Sequence, residues 1–92
     1  MIKSPLYKEA VIEWGKNHQL LVTAEEMAEA IAKISQYTNR GRDVEEEVIC
    51  ELADVVIMLE QCKVIYGTRL RDCVSTKLQK LEGHLRGTDE RR

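Results

Sequence analysis

From Val48 to Tyr66 the apolar residues Val48, Leu52, Val55, Leu59, Cys62 and Tyr66 recur at spacings of four, three, four, three and four. Only an α-helix with one buried face satisfies such a period; a strand would need alternation every second residue. Nothing else in the 92 residues alternates like a strand, and aromatic content points the same way. Phenylalanine is absent, and Trp14, Tyr7, Tyr37 and Tyr66 are the only aromatics, whereas strands favour aromatic side chains. The chain therefore reads as a single all-α domain over residues 1–92, too short to build two cores.

Three further helices complete the pattern. Ser4-Pro5 is a start signal, the serine capping free amides and the proline taking the first position, where its missing N–H costs nothing. A short helix follows to about Lys16, with Leu6, Ala10, Val11 and Ile12 as its apolar side, and Gly15 and Asn17 mark the break. A second helix is expected from about His18 to Tyr37, carried by Leu20, Ala24, Met27, Ala28, Ile31 and Ile34. Thr23 and Glu26 fit a capping box, but the apolar pattern already runs from Leu20, so the longer helix is preferred. Thr38–Arg42 reads as a loop. Asp43 with Glu46 is a second capping-box pair opening the third helix, which Gly67 ends. A last helix from about Arg69 to Arg86 aligns Leu70, Cys73 or Val74, Leu78, Leu81 and Leu85, Gly87 closes it, and Thr88–Arg92 is expected to fray. The architecture expected is a four-helix bundle whose second and third members are long and antiparallel.

Several classes are excluded. No run of eighteen apolar residues exists, and the first residues turn polar at once, so neither a membrane span nor a signal peptide is expected and the cytoplasm is the expected compartment. A net charge of −2 argues against a nucleic-acid domain built on a broad basic face. Cys50, Cys62 and Cys73 lack paired metal-ligand spacing and are expected to be reduced core residues. A chain this small, with this much aliphatic helix surface, is expected to associate.

The carboxylates are the candidate chemistry. Glu26 and Glu29 are an (i, i+3) pair on the second helix, where like charges repel unless a cation intervenes. Glu51 and Asp54 form a second such pair, and Asp54 is the lone polar residue from Leu52 to Leu59. No Lys or Arg stands three or four residues from it, so its partner must be tertiary: a basic side chain of the last helix, or a divalent cation shared with the second helix. Two antiparallel helices offering acidic pairs can converge four carboxylates on one point, a hard-oxygen site suited to Mg²⁺ or, as a substitute, Mn²⁺. Neither His18 nor His84 has the Glu-x-x-His spacing of di-iron bundles. Glu25, beside Glu26, is the candidate for orienting or deprotonating a water, its alternative being a plain exposed glutamate.

Glu25-Glu26-Met27-Ala28-Glu29 followed by Glu51-Leu52-Ala53-Asp54 resembles the EExxE and ExxD signature of the MazG-like all-α nucleoside triphosphate pyrophosphohydrolases. Gln19, the hydrophobic run after Asp54 and Lys77-Leu78-Gln79-Lys80-Leu81 extend the likeness over roughly residues 10–86. The resemblance implies water attack releasing a nucleoside monophosphate and pyrophosphate. It implies Glu26, Glu29, Glu51 and Asp54 as Mg²⁺ ligands and Glu25 as the residue placing the water. It also implies Lys77 and Lys80 against the phosphates, with His84 standing where an arginine is expected. Gln19 and Trp14 are candidates for contacting the base. Members of that family are dimers or tetramers, so a homodimer or homotetramer is expected. The competing readings are a non-catalytic helical dimerisation module and a relative that binds nucleotide without turnover.

Overall fold

A computed structural model describes residues 4–87, all of its regular structure helical. The expected fraying of Thr88–Arg92 lies outside the described residues. Helix α1 spans Pro5–Trp14, α2 Lys16–Asn39, α3 Glu45–Tyr66 and α4 Thr68–Leu85. No helix among the described residues is long and apolar enough to cross a membrane.

Local chemistry sets most of the boundaries. The Ser4 hydroxyl accepts the Leu6 amide N–H at 3.1 Å, and Pro5 stands at the first turn of α1. Gly15, at φ 86° and ψ 158°, is the whole connection between α1 and α2, so the first helix stops at Trp14 instead of reaching Lys16. Thr23 does not start a helix. It lies inside α2, its hydroxyl donating to the Gln19 carbonyl at 2.7 Å, in agreement with the longer helix. The Asp43–Glu46 capping box is not formed: the cap position is Val44, and no side chain caps α3. Glu45, Glu46 and Glu47 crowd that first turn instead, where negative charge meets the positive end of the helix dipole.

Helices α2 and α3 pack antiparallel along most of their lengths. Gln19 and Thr23 near the start of α2 meet Gln61 and Cys62 near the end of α3, while Lys33 and Tyr37 farther along α2 meet Glu47 and Glu45 at the start of α3. The Lys16 ammonium over the Tyr66 ring, 5.3 Å from its centroid, closes one end of this hairpin. α1 packs against both long helices, but α4 touches α3 alone. Three helices therefore share a core and the fourth stands apart from it, short of a closed bundle within one chain.

That core is thin. Ala30, Met58 and Cys62 are its buried apolar residues, beside the buried Gln19, Thr23, Glu60 and Gln61. Leu6 and Ile12, the expected inner side of α1, are exposed. Of the three cysteines, all free thiols, Cys62 is buried as expected, whereas Cys50 and Cys73 are exposed. Cys73 sits on α4, which has no second helix to cover it. Cys50 precedes the buried stretch of α3.

Candidate functional site

The seam between α2 and α3 carries buried polar side chains beside its few apolar ones. At one end it carries a directional chain of hydrogen bonds. His18 Nδ1 lies 2.7 Å from Gln19 Oε1, the Gln19 amide donates to Gln61 Oε1 at 2.7 Å, and the Gln61 amide donates to Met58 Sδ at 3.5 Å. Because Gln19 Oε1 can only accept, His18 Nδ1 carries the hydrogen in this arrangement. Thr23 spends its one hydroxyl proton on the Gln19 carbonyl, so at 3.8 Å the Cys62 thiol is the donor to Thr23.

Seven residues beyond Gln19, and seven before Gln61, the seam changes from amides to acids. One oxygen each of Glu26, Glu51 and Asp54 lies within 4.8 Å of the others. The helical period explains the convergence. Glu26 repeats the wheel position of Gln19 and Asp54 that of Gln61, while Glu51 stands one turn from Asp54 on the same face. The amide contact between the two glutamines thus fixes the same register that brings the carboxylates together.

The electrostatics of this cluster are those of a site short of positive charge. Glu26 is half-buried, and its pKa is pushed above the ordinary 4.5, first by desolvation and then by the charges of Glu29, Asp54, Glu51 and Glu25. Glu51 is half-buried too, and its Oε2 is sealed from solvent with no hydrogen-bond partner. The ion pairs among the described residues, Lys33–Glu47, Lys63–Glu60, Arg71–Asp72 and Arg86–Glu82, all lie elsewhere. A basic side chain of the last helix, one of the two partners considered for Asp54, therefore makes no ion pair with it. Oxygens this close, one of them an orphaned acceptor, fit a hard divalent cation by donor type and spacing.

The remaining sequence candidates fall in different places. Glu29 is exposed and is not among the three converging groups, although its charge is the first of the neighbours acting on Glu26. Asp54 is exposed, so its apolar sequence neighbours turn away around the helix and do not bury it. Glu25 is an exposed carboxylate next to the cluster. The Gln19 amide is buried and committed to His18 and Gln61. Trp14 is exposed on the wall of a cleft of about 740 Å³ between α1 and α3, with Tyr7, Ala10, Ile57 and Gln61 among the lining residues. Lys77 and Lys80 are exposed on α4, in no ion pair among the described residues. Gln61 is the residue that sequence reasoning missed. Its wheel position opposite Gln19 was the available signal, but it becomes meaningful only once the pairing register of the two helices is known.

No family model, no curated protein and no solved structure matches this chain.

Proposed function

We propose that the chain is a Mg²⁺-dependent nucleoside triphosphate pyrophosphohydrolase of the MazG-like kind, active as a homodimer or homotetramer. The observation that carries the reading is the convergence of Glu26, Glu51 and Asp54 within 4.8 Å, in support of the order of acidic motifs in the sequence. These three residues would hold the cation, with Glu29 one turn from Glu26 as a further carboxylate for the cation or its waters. A bound divalent cation supplies charge neutralisation and polarisation of phosphate oxygens, chemistry that asks for acids and little else from the protein.

The chain's own side chains then have defined tasks. Glu25 accepts a proton from the attacking water as its oxygen bonds to phosphorus, and the bridging oxygen between the α and β phosphates leaves with pyrophosphate. Lys77 and Lys80 offer point charges to the phosphates. Trp14 offers a ring face to the base from the α1/α3 cleft, which Ile57 and Gln61 reach one to two turns along α3 from Asp54. Seven residues of helix rise about 10 Å, a separation a nucleotide can bridge from phosphates to base. Gln19, already committed within the seam, positions Gln61 and does not reach the base itself.

The decisive experiment incubates the pure protein with a panel of nucleoside triphosphates and Mg²⁺ and separates monophosphate plus pyrophosphate from diphosphate plus phosphate. The first product pair with any nucleotide sustains the reading. No product with any of them rejects it and leaves the interaction module, which the exposed apolar stripe of α4 favours, and the relative that binds nucleotide without turnover.

A further inference from the structure

We infer that the hydrogen-bond chain His18–Gln19–Gln61 makes the α1/α3 cleft selective for a flat ring that presents a carbonyl oxygen, so that a keto-bearing nucleobase binds in preference to its amino-bearing counterpart. Gln61 is the group that reads the ring. It lines the cleft beside Trp14 and Ile57, and at 5% exposure it has almost no water to satisfy it. Its carbonyl is taken from the α2 side by the Gln19 amide at 2.7 Å. Its nitrogen carries two hydrogens; among the described residues one is spent on Met58 Sδ at 3.5 Å, a weak acceptor, and the other has no partner. What Gln61 keeps for a ligand is therefore a donor, and a buried donor gains most from an oxygen that completes it.

The direction of that amide is not set by Gln61 alone. A side-chain amide can turn over and present its oxygen instead, and two amides in series must turn together. His18 Nδ1 lies 2.7 Å from Gln19 Oε1. With the hydrogen on that nitrogen, the Gln19 oxygen faces the imidazole, the Gln19 N–H faces Gln61, and the Gln61 N–H is left for the cleft. His18 and Gln19 are thus positioning residues that act through Gln61.

The rest of the cleft suits a neutral ring. Its volume is about 740 Å³, and Trp14 and Tyr7 offer aromatic surface among aliphatic neighbours. The charged groups lining it among the described residues are Glu9 and Glu13, both exposed, with no base beside them. A phosphate is repelled there and a heterocycle is not. Hydrated carboxylates accept from any ring N–H, so they do not separate keto from amino bases. Gln61 does, because an exocyclic amino group sets N–H against N–H and leaves a buried donor unpaired.

The inference takes the nucleobase from the proposed function, and a test without phosphate, Mg²⁺ or turnover keeps the two separable. Nucleosides are titrated into heavy-nitrogen-labelled, metal-free protein in matched pairs, inosine against adenosine and uridine against cytidine, each pair differing in the keto or amino group and the ring nitrogen next to it. The indole resonance of Trp14, the chain's single tryptophan, and the side-chain amide resonance of Gln61 report binding. The keto member is expected to bind about tenfold more tightly or better, shifting the Gln61 amide proton downfield. Equal or reversed affinity within any pair that binds, or no binding by any of the four, overturns the inference and leaves the hydrolase to its own assay. Keto preference in a protein that releases no pyrophosphate sustains the inference without the hydrolase.

Two variants test the chain of amides. His18→Asp puts an acceptor oxygen where Nδ1 stands, so that Gln19 and then Gln61 must turn over; the preference within each pair is expected to invert with circular dichroism unchanged. Equal weakening of both members would mean that His18 is merely structural and would overturn the positioning role. Gln61→Glu removes the donor in place and is expected to abolish the keto preference. Its survival in that variant would show that the ring is read elsewhere.

Discussion

Gln19 donates its side-chain amide to the carbonyl of Gln61 at 2.7 Å across the α2/α3 seam, and both residues are buried. Few other contacts pin the rotation of the two helices so closely, because among the described residues the buried apolar core beside them is Ala30, Met58 and Cys62. Gln61→Leu is expected to leave the Gln19 N–H without a partner in a dry place and to destabilise the chain by about 1–3 kcal/mol. For a domain of this size each kcal/mol lowers Tm by roughly 4–8 °C. Adding Gln19→Leu should recover part of the loss, and urea denaturation of the two single variants and the double reads the coupling directly. Additive losses would show that the amides do not hold the register.

Helical periodicity made the four elements legible because it reports which residues share a face. It cannot say what covers that face. Leu6 and Ile12 are expected on the inner side of α1 and Cys73 in the core, yet all three are exposed, since the one chain has too few partners for all its apolar faces. The two capping boxes failed for different physical reasons. Thr23 was overridden by apolar packing that continues the helix through it, and Asp43 by a loop in which the Val44 amide bonds to the Arg42 carbonyl and Val44 takes the cap position. At the site, the pairing of Glu26 with Glu51 and Asp54 was readable from spacing, because antiparallel helices bring matched wheel positions together. The weaker placement of Glu29 was not, since an (i, i+3) partner is rotated by 60° and its reach depends on where the facing helix sits.

Substitution at the acids separates a metal site from a solvated acidic face. Glu51→Gln and Asp54→Asn each keep the side-chain size and remove the charge. Outer-sphere partners of metal ligands already cost up to about 100-fold in affinity or activity when lost, so direct ligands should cost at least that. Pyrophosphate release is expected to fall by two orders of magnitude or more with circular dichroism unchanged. Full activity in Asp54→Asn would sink its assignment as a ligand.

Glu26 supplies a pH signature. Its pKa is raised above 4.5 in the folded chain, so in the metal-free protein the folded state holds this proton more tightly than the unfolded state. Where the folded state binds more protons, stability falls as pH rises. The window runs from the ordinary value up to the raised one, and above it the ionised Glu26 is a standing penalty. Glu26→Gln is therefore expected to raise the metal-free Tm at neutral pH. Mg²⁺ should raise the wild-type Tm by an amount that grows with the logarithm of its concentration above Kd, and the same variant should blunt that rise. Equal Mg²⁺ shifts in both proteins would mean that the cation binds elsewhere.

Gly67 isolates backbone strain from steric clash. It joins α3 to α4 at φ 58° and ψ −130°, a combination no L-residue adopts readily, and a Cβ built there meets nothing within 4 Å. Gly67→Ala therefore introduces no collision, yet it should cost about 1–3 kcal/mol of strain or force the joint to a new conformation. Since α4 touches only α3, a change at this joint redirects the whole arm. The seam between α2 and α3, closed by Lys16 over Tyr66 and by Lys33 with Glu47, should stay as it is. Amide hydrogen exchange is expected to show faster exchange at the α3/α4 junction, with protection around Gln19 and Gln61 retained. Uniform loss of protection through α2 and α3 would show that the arm is part of the folded core and not an appendage to it.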